Sequence, residues 1–288
     1  MLKYHDRRTD TITYAARFQT QDAVPTAPRA QGALRIVAKR RGQETVIGEL
    51  RQDGSLKALF PKVRGAALDA VFLNTAGGLT GGDHMKIDAT ARQDAHVIVA
   101  SQAAERAYRA QPGQIAESHV TLDVGPGGRI DWLPQETILF DRAALNRRLS
   151  VQLAKDATAL VVEPIIFGRT AMGEQVDTLH FTDRWQVTRD GKLIFADAIR
   201  MIGDAHALMQ QPAIGAGAGA MATVLLASPM AAALVNSLEV SGLGGASLIA
   251  DDILLVRLLA ADGFALRAEL IPVVEALSSA PIPRVWRL

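Results

Sequence analysis

Carboxylates set inside or beside apolar runs are the residues of this chain whose types could do chemistry. Glu136 lies in Trp132-Leu133-Pro134-Gln135-Glu136-Thr137-Ile138-Leu139-Phe140, and Asp141 follows directly. Glu163 lies in Val161-Val162-Glu163-Pro164-Ile165-Ile166-Phe167, and Glu174 closes Gly168-Arg169-Thr170-Ala171-Met172-Gly173-Glu174. A buried acid is costly unless it is paired or hydrated, so Glu136 and Glu163 need explaining. One chemistry they suit is an acid/base pair, as in a hydrolase on a β-rich scaffold, which needs two carboxyls in different environments at a set distance. Another is a water-filled passage lined with carboxylates. A third account is structural, an ion pair with Arg142, Arg147 or Arg169. Residue types alone leave these open, although no Gly-x-Ser-x-Gly nucleophile elbow is present.

Asp83 belongs to a different pattern. It closes Leu73-Asn74-Thr75-Ala76-Gly77-Gly78-Leu79-Thr80-Gly81-Gly82-Asp83, where Gly77, Gly78, Gly81 and Gly82 form two pairs. Glycine pairs permit positive φ and close approach of a backbone or ligand. The stretch is not a phosphate loop, because a lysine and then Ser or Thr must follow the last glycine, and here a carboxylate follows. Gly215-Ala216-Gly217-Ala218-Gly219-Ala220 loosely suggests a dinucleotide fingerprint and hence a nucleotide-binding protein. Gln210-Gln211-Pro212 precedes it where a strand is required, and Val224-Leu225-Leu226 follows where a helix should start, so a flexible hairpin connection is the better reading.

The metal inventory is thin. His5, His84, His96, His119, His180 and His206 show no pair at helix-face spacing, and the chain has no cysteine. That argues against a closed structural zinc site and excludes thiol catalysis and disulfides. It leaves no tightly bound cofactor in view and only transient contact of a borderline metal with carboxylates. The 31 basic and 30 acidic residues nearly cancel, which removes the electrostatic case for nucleic acid or an anionic membrane. No run approaches a membrane span, and the first residues lack an apolar signal-like core. With 49% hydrophobic but only 5% aromatic residues, the core must be aliphatic.

The elements that would position these groups read mostly as strands. Leu34, Ile36 and Ala38 alternate with polar neighbours, turn at Arg41-Gly42-Gln43, and return through Val46 to Leu50. Alternation recurs over 68–73, 84–91, 94–100, 117–124, 149–153 and 181–187, and 158–166 is a buried strand. Arg189-Asp190-Gly191-Lys192 is a hairpin turn. Residues 101–110 are too irregular to assign. Strands at this spacing argue for stacked antiparallel sheets and against βαβ units. The C-terminal third adds a helix over 229–238, a strand over 252–259, and a helix over 264–277 that Pro272 bends or splits. Residues 1–30 read as a poorly ordered lead-in and 31–288 as a single domain.

These segments, taken in order, resemble the urease accessory protein UreD (UreH) family. The glycine loop is similar to that family's Pro-Gly-Gly-x-x-Gly-Gly-Asp signature, with Ala76 in the proline position. The stretch 132–140 is close to its most recognisable string, and Gly168-Arg169 with Gly173-Glu174 and the 189–193 hairpin also match. Ala103-Ala104-Glu105-Arg106-Ala107 departs from the family's usual Gly-Ala-Thr-Lys-hydrophobic run. The resemblance implies a mainly β fold of stacked, coiling sheets, antiparallel or mixed and β-helix-like or sandwich-like, with a few short helices towards the C-terminus. It implies a cytoplasmic, non-enzymatic chaperone that scaffolds UreF and the GTPase UreG on apo-urease and assists nickel insertion. An internal tunnel is the proposed route, and Asp83, Glu136, Asp141, Glu163 and Glu174 are then the tunnel-lining or partner-facing candidates.

Overall fold

The computed structural model describes residues 28–62, 65–169 and 172–287. Most of the expected lead-in therefore lies outside the described residues. Strands β1 (Gln31–Arg41) and β2 (Glu44–Gly54) form the expected hairpin, turning at Gly42 with φ 63°. A short β3 (Leu56–Leu59) then pairs antiparallel with β4 (Leu68–Asn74).

From β4 the chain winds between two facing sheets. It crosses to β5 (His84–Ala91), returns through β6 (His96–Ser101) and the short β7 (Glu105–Ala107), and crosses again to β8 (Ala116–Val124). The next coil runs β9 (Arg129–Leu133), β10 (Thr137–Leu139) and β11 (Ala144–Leu153), and the last runs β12 (Thr158–Phe167) and β13 (Leu179–Arg189). β14 (Lys192–Gly203), β15 (Ala220–Ala227), β16 (Gly245–Ala250) and β17 (Ile253–Ala260) complete the strands. The first sheet has the order β14-β13-β11-β8-β5-β1-β2, and the second β16-β17-β15-β12-β9-β6-β4-β3. The architecture is mainly β and solenoid-like.

Residue spacing favoured stacked antiparallel sheets, and the centre of the molecule differs. β5, β8, β11 and β13 pair in parallel, as do β4, β6, β9 and β12. Parallel neighbours need a long crossover, usually a helix. Here the strand of the opposite sheet serves as that crossover, so parallel pairing arises without βαβ units. Antiparallel pairing is kept for the ends, where β2 and β3 close one side and β14, β15, β17 and β16 the other.

Each coil stacks like on like. Leu34, Ile87, Val120, Leu149 and Trp185 are successive partners across the first sheet, and Ala70, Val99, Trp132 and Val161 across the second. Both rows point into the layer between the sheets. The outer face of the first sheet is largely solvated, so its strands alternate cleanly, as in β11. The outer face of the second is covered by α3 (Gly263–Leu277), whose Leu266, Leu270, Val273, Val274 and Leu277 pack on Leu160, Val162, Val224, Leu226 and Val256. Burial on both faces is why β12 and β15 read as near-continuous apolar runs.

Pro272 does not split α3. A proline inside a helix loses one backbone bond, but the five buried side chains on both sides of it hold the element on the sheet. Asp262 caps the start, accepting from Ala265 N–H at 2.8 Å. The helix expected over 229–238 shortens to α2 (Ala231–Leu234) and one following 3-10 turn. The glycine-alanine stretch 215–220 is not a hairpin connection. It joins the short helix α1 (Ala205–Gln210) to β15, and the Met209 and Gln211 carbonyls accept from its N–H groups. No helix among the described residues is long and apolar enough to cross a membrane.

Candidate functional site

Between the sheets, beneath the glycine loop, lies a cavity of about 260 Å³. Gly77, Gln102 and Ala103, all exposed, stand at its outer end, and Arg147, Glu163 and Asp183 at its inner end. The loop is shaped by its glycines. Gly77, Gly78 and Gly82 take φ of 78°, 148° and 89°. A Cβ on Gly78 would lie 2.7 Å from the Arg106 carbonyl and strike the Tyr108 ring, and one on Gly81 would lie 2.6 Å from the Gln114 carbonyl. Asp83 is buried and fastens the loop: one oxygen accepts from Ala30 N–H at 2.7 Å, the other from Thr80 N–H at 2.8 Å.

The inner end is a charged cluster in an otherwise apolar layer. Arg147 stands on β11 and Asp183 is its ladder partner on β13, while Glu163 projects from β12 in the facing sheet. Arg147 Nη1 donates to Glu163 Oε2 at 2.6 Å and to Thr137 Oγ1 at 3.0 Å, and Nη2 donates to Asp183 Oδ2 at 2.5 Å. Trp132 Nε1 donates to the other Glu163 oxygen at 2.8 Å. The Phe181 ring lies 5.2 Å from the guanidinium carbon. Burial opposes the charge on Arg147, but Asp183 and Glu163 outweigh it and raise the pKa of the guanidinium. Burial also pushes the Glu163 carboxyl above its ordinary range, and Asp183 adds to the rise, while Arg147 and the Trp132 indole pull it back.

The outer end holds one further carboxyl. Glu105 on β7 accepts from Asn74 Nδ2 at 3.3 Å, and the same amide nitrogen donates to the Gly78 carbonyl at 3.1 Å. Burial raises the Glu105 pKa to about 7, against the pull of Asn74 and Arg106 and with a small push from Asp83.

Of the five carboxylates singled out in the sequence, Glu163 alone lines this cavity. Glu136 faces α3, where Arg267 Nη1 donates to it and to Gln135 at 2.8 Å each. Asp141 accepts from Thr178 N–H at 2.9 Å and lies 3.4 Å from Arg142. Glu174 takes both Nε and the backbone N–H of Arg169, at 2.8 and 2.9 Å, and those bonds hold its carboxyl below the ordinary range. Asp83 is the loop fastener already described. An ion pair with Arg142, Arg147 or Arg169 was the structural account of Glu136 and Glu163: Glu163 does meet Arg147, whereas the partner of Glu136 is Arg267, more than a hundred residues away in the chain.

Asp183, Thr137, Trp132, Asn74 and Glu105 were not singled out. A signal for two of the charges was present. Asp183 falls in phase with Phe181, Trp185 and Val187, and Arg147 with Leu145, Leu149 and Val151. A charge on the apolar phase of an alternating strand must be paired inside or face a cavity. Among the described residues no three His, Cys, Asp or Glu side chains group as a metal site.

The UreD urease accessory protein family model matches residues 30–287. The chain belongs to the UreD family. It is 47% identical over 271 residues to the urease accessory protein UreD of Rhizobium etli, covering 92% of this chain and 98% of that one. It is 46% identical over 272 residues to UreD of Ruegeria sp. strain TM1040, covering 91% of each, and 44% identical over 257 residues to UreD of Ruegeria pomeroyi, covering 88% of this chain and all of that one. As a urease accessory protein it has a role in urease maturation. Three of the segments that carry UreD character meet in space: Gly77 and Gly78, residues 101–106, and Trp132, Pro134, Gln135 and Thr137 are walls of the same cavity, which the 168–174 and 189–193 segments do not line.

Proposed function

We propose that this UreD chain is a non-enzymatic chaperone that scaffolds UreF and the GTPase UreG on apo-urease and passes nickel through its interior to the urease active site. The observation that carries this reading is the cavity between the sheets, with carboxyl groups at both its ends. Hard oxygen donors in small number suit a cargo that must leave again, since a full ligand set would retain it. The cavity reaches the surface beside the glycine loop, so cargo has an entry that does not require the sheets to part. A carboxylate-pair hydrolase would instead need one carboxyl free to give a proton and another free to attack. Arg147 engages both Glu163 and Asp183, which fits a cation path better than an acid/base pair.

The test is Glu163→Gln, which keeps the shape and one of the two acceptor oxygens and removes the charge. Co-expressed with UreF, UreG and apo-urease, the variant should still assemble while nickel content and urease activity fall several-fold. Full activation by Glu163→Gln in an intact complex would overturn the interior route.

A further inference from the structure

The charged cluster holds two polar atoms that its ion pairs do not explain. Arg147 Nε is buried without a hydrogen-bond partner, and so is the hydroxyl of Thr223 on β15. Thr223 is 2% exposed and is the ladder partner of Glu163, so its side chain stands beside the Glu163 carboxylate on the inner face of the second sheet. Buried hydroxyls and guanidinium nitrogens are nearly always paired, and an orphan points to a missing partner. Three oxygen-bearing side chains hold the guanidinium, the Glu163 and Asp183 carboxylates and the Thr137 hydroxyl, and the unpaired Thr223 hydroxyl stands on the same face beside Glu163.

We propose that Arg147 is a displaceable plug in a divalent-cation station formed by Glu163, Asp183, Thr137 and Thr223. This deepens the interior-route reading and rests on it. A guanidinium offers donors and one positive charge, while a divalent cation offers two charges and takes oxygen donors from all sides. The two compete for the same carboxylate oxygens. With Arg147 in place the cluster is satisfied and closed, and the cation enters only by moving the guanidinium aside. Thr223 gains the partner it lacks when the cation is seated. Two carboxylates and two hydroxyls are too few for tight retention, so the station releases its cargo when Arg147 returns.

The measurement is Ni(II) binding to the full-length chain by titration calorimetry, with thermal melts in Ni(II) and in chelator. Arg147→Met removes the charge and the donors at similar length. It should bind Ni(II) at least tenfold more tightly than the wild type and gain more in melting temperature from the metal. Glu163→Gln or Asp183→Asn added to Arg147→Met should abolish that gain. Equal affinity in Arg147→Met and the wild type, or a gain that survives both second substitutions, overturns the proposal. If Arg147→Met does not fold, Arg147→Lys is titrated instead. A lysine lacks the rigid two-armed guanidinium fork and closes the pair of carboxylates less well, so it should also bind Ni(II) more tightly than the wild type, and equal affinity overturns the plug. Binding is read on this chain alone. A station that binds while Glu163→Gln still activates urease would sink the interior route and leave the station standing.

Discussion

On the inner face of the second sheet, Glu163 shares Arg147 with Asp183 beside a cavity, and a guanidinium nitrogen and a hydroxyl nearby are left without partners. On the outer face, Asp131 is just as buried, and both of its oxygens are paired. One of its oxygens takes Arg129 Nε at 2.7 Å and the other lies 2.9 Å from His96 Nε2, while Arg129 also donates to the Leu277 carbonyl at the end of α3. Both faces bury a carboxylate against an arginine. The outer network ties the helix to the sheet and spends its hydrogen-bonding capacity on that task. The inner one borders space and keeps capacity in reserve. Charge burial alone does not mark a site. Burial next to a cavity, with orphan polar atoms, does.

The strongest way to break this comparison is Asp131→Ala. Removing one partner of a buried pair costs about 3–5 kcal/mol, because the remaining charge stays buried. Chemical denaturation should show a loss of that size. The fraction that still folds should bind Ni(II) as the wild type does. Altered Ni(II) affinity in folded Asp131→Ala would mean that the two faces are one functional network, and the distinction would fail.

A mid-sized effect should come from the carboxyl at the outer end of the cavity. The Glu105 pKa is raised from 4.5 to about 7 by burial, so between those values the folded chain holds a proton that the unfolded chain has lost. Stability from this group is therefore full below pH 4.5 and falls as pH rises to about 7. Glu105→Gln cannot lose a proton. At pH 8 it should be about 1–3 kcal/mol more stable than the wild type, at roughly 1.4 kcal/mol per pKa unit. The difference should vanish near pH 4. A constant offset across that range would show that the carboxyl is not held neutral by its surroundings.

Glu105 also shows where sequence reasoning stopped. It lies in a stretch too irregular to assign, because β7 is three residues long and is ordered by pairing with β10, which is equally short, and by a bridge to Leu79 of the glycine loop. No local pattern encodes such a contact. The long alternating strands were legible, as were the hairpins at Gly42 and Gly191, because period and turn chemistry are local. Parallel stacking was not, since it depends on which coil lies above which. Glu163 was visible as a charge in an apolar run. Asp183 was equally visible as a charge on an apolar phase, but only the fold brings it to Arg147. Glu136 looked the same as Glu163 in the sequence and was sent to the other side of the sheet by a partner on α3.

That last pair gives the smallest and sharpest test. Glu136 and Glu163 each sit in an apolar run and each meets one arginine, at 2.8 and 2.6 Å. Arg267 is more exposed than Arg147 and is steadied by the Trp286 ring at 5.3 Å and by Gln135, so it keeps other partners when Glu136 loses its charge. Glu136→Gln should therefore cost only about 1 kcal/mol, the scale of one charge-assisted hydrogen bond partly screened by solvent. It should leave Ni(II) affinity unchanged, while Glu163→Gln weakens it at a similar change in chemistry. Equal loss of nickel transfer in the two variants would show that what matters is the carboxylate's place in the chain's surface charge. A loss confined to Glu163→Gln ties the effect to the inner face, since the two substitutions remove the same charge, one from β12 and one from the connection between β9 and β10, and differ in the side of the second sheet on which it stands.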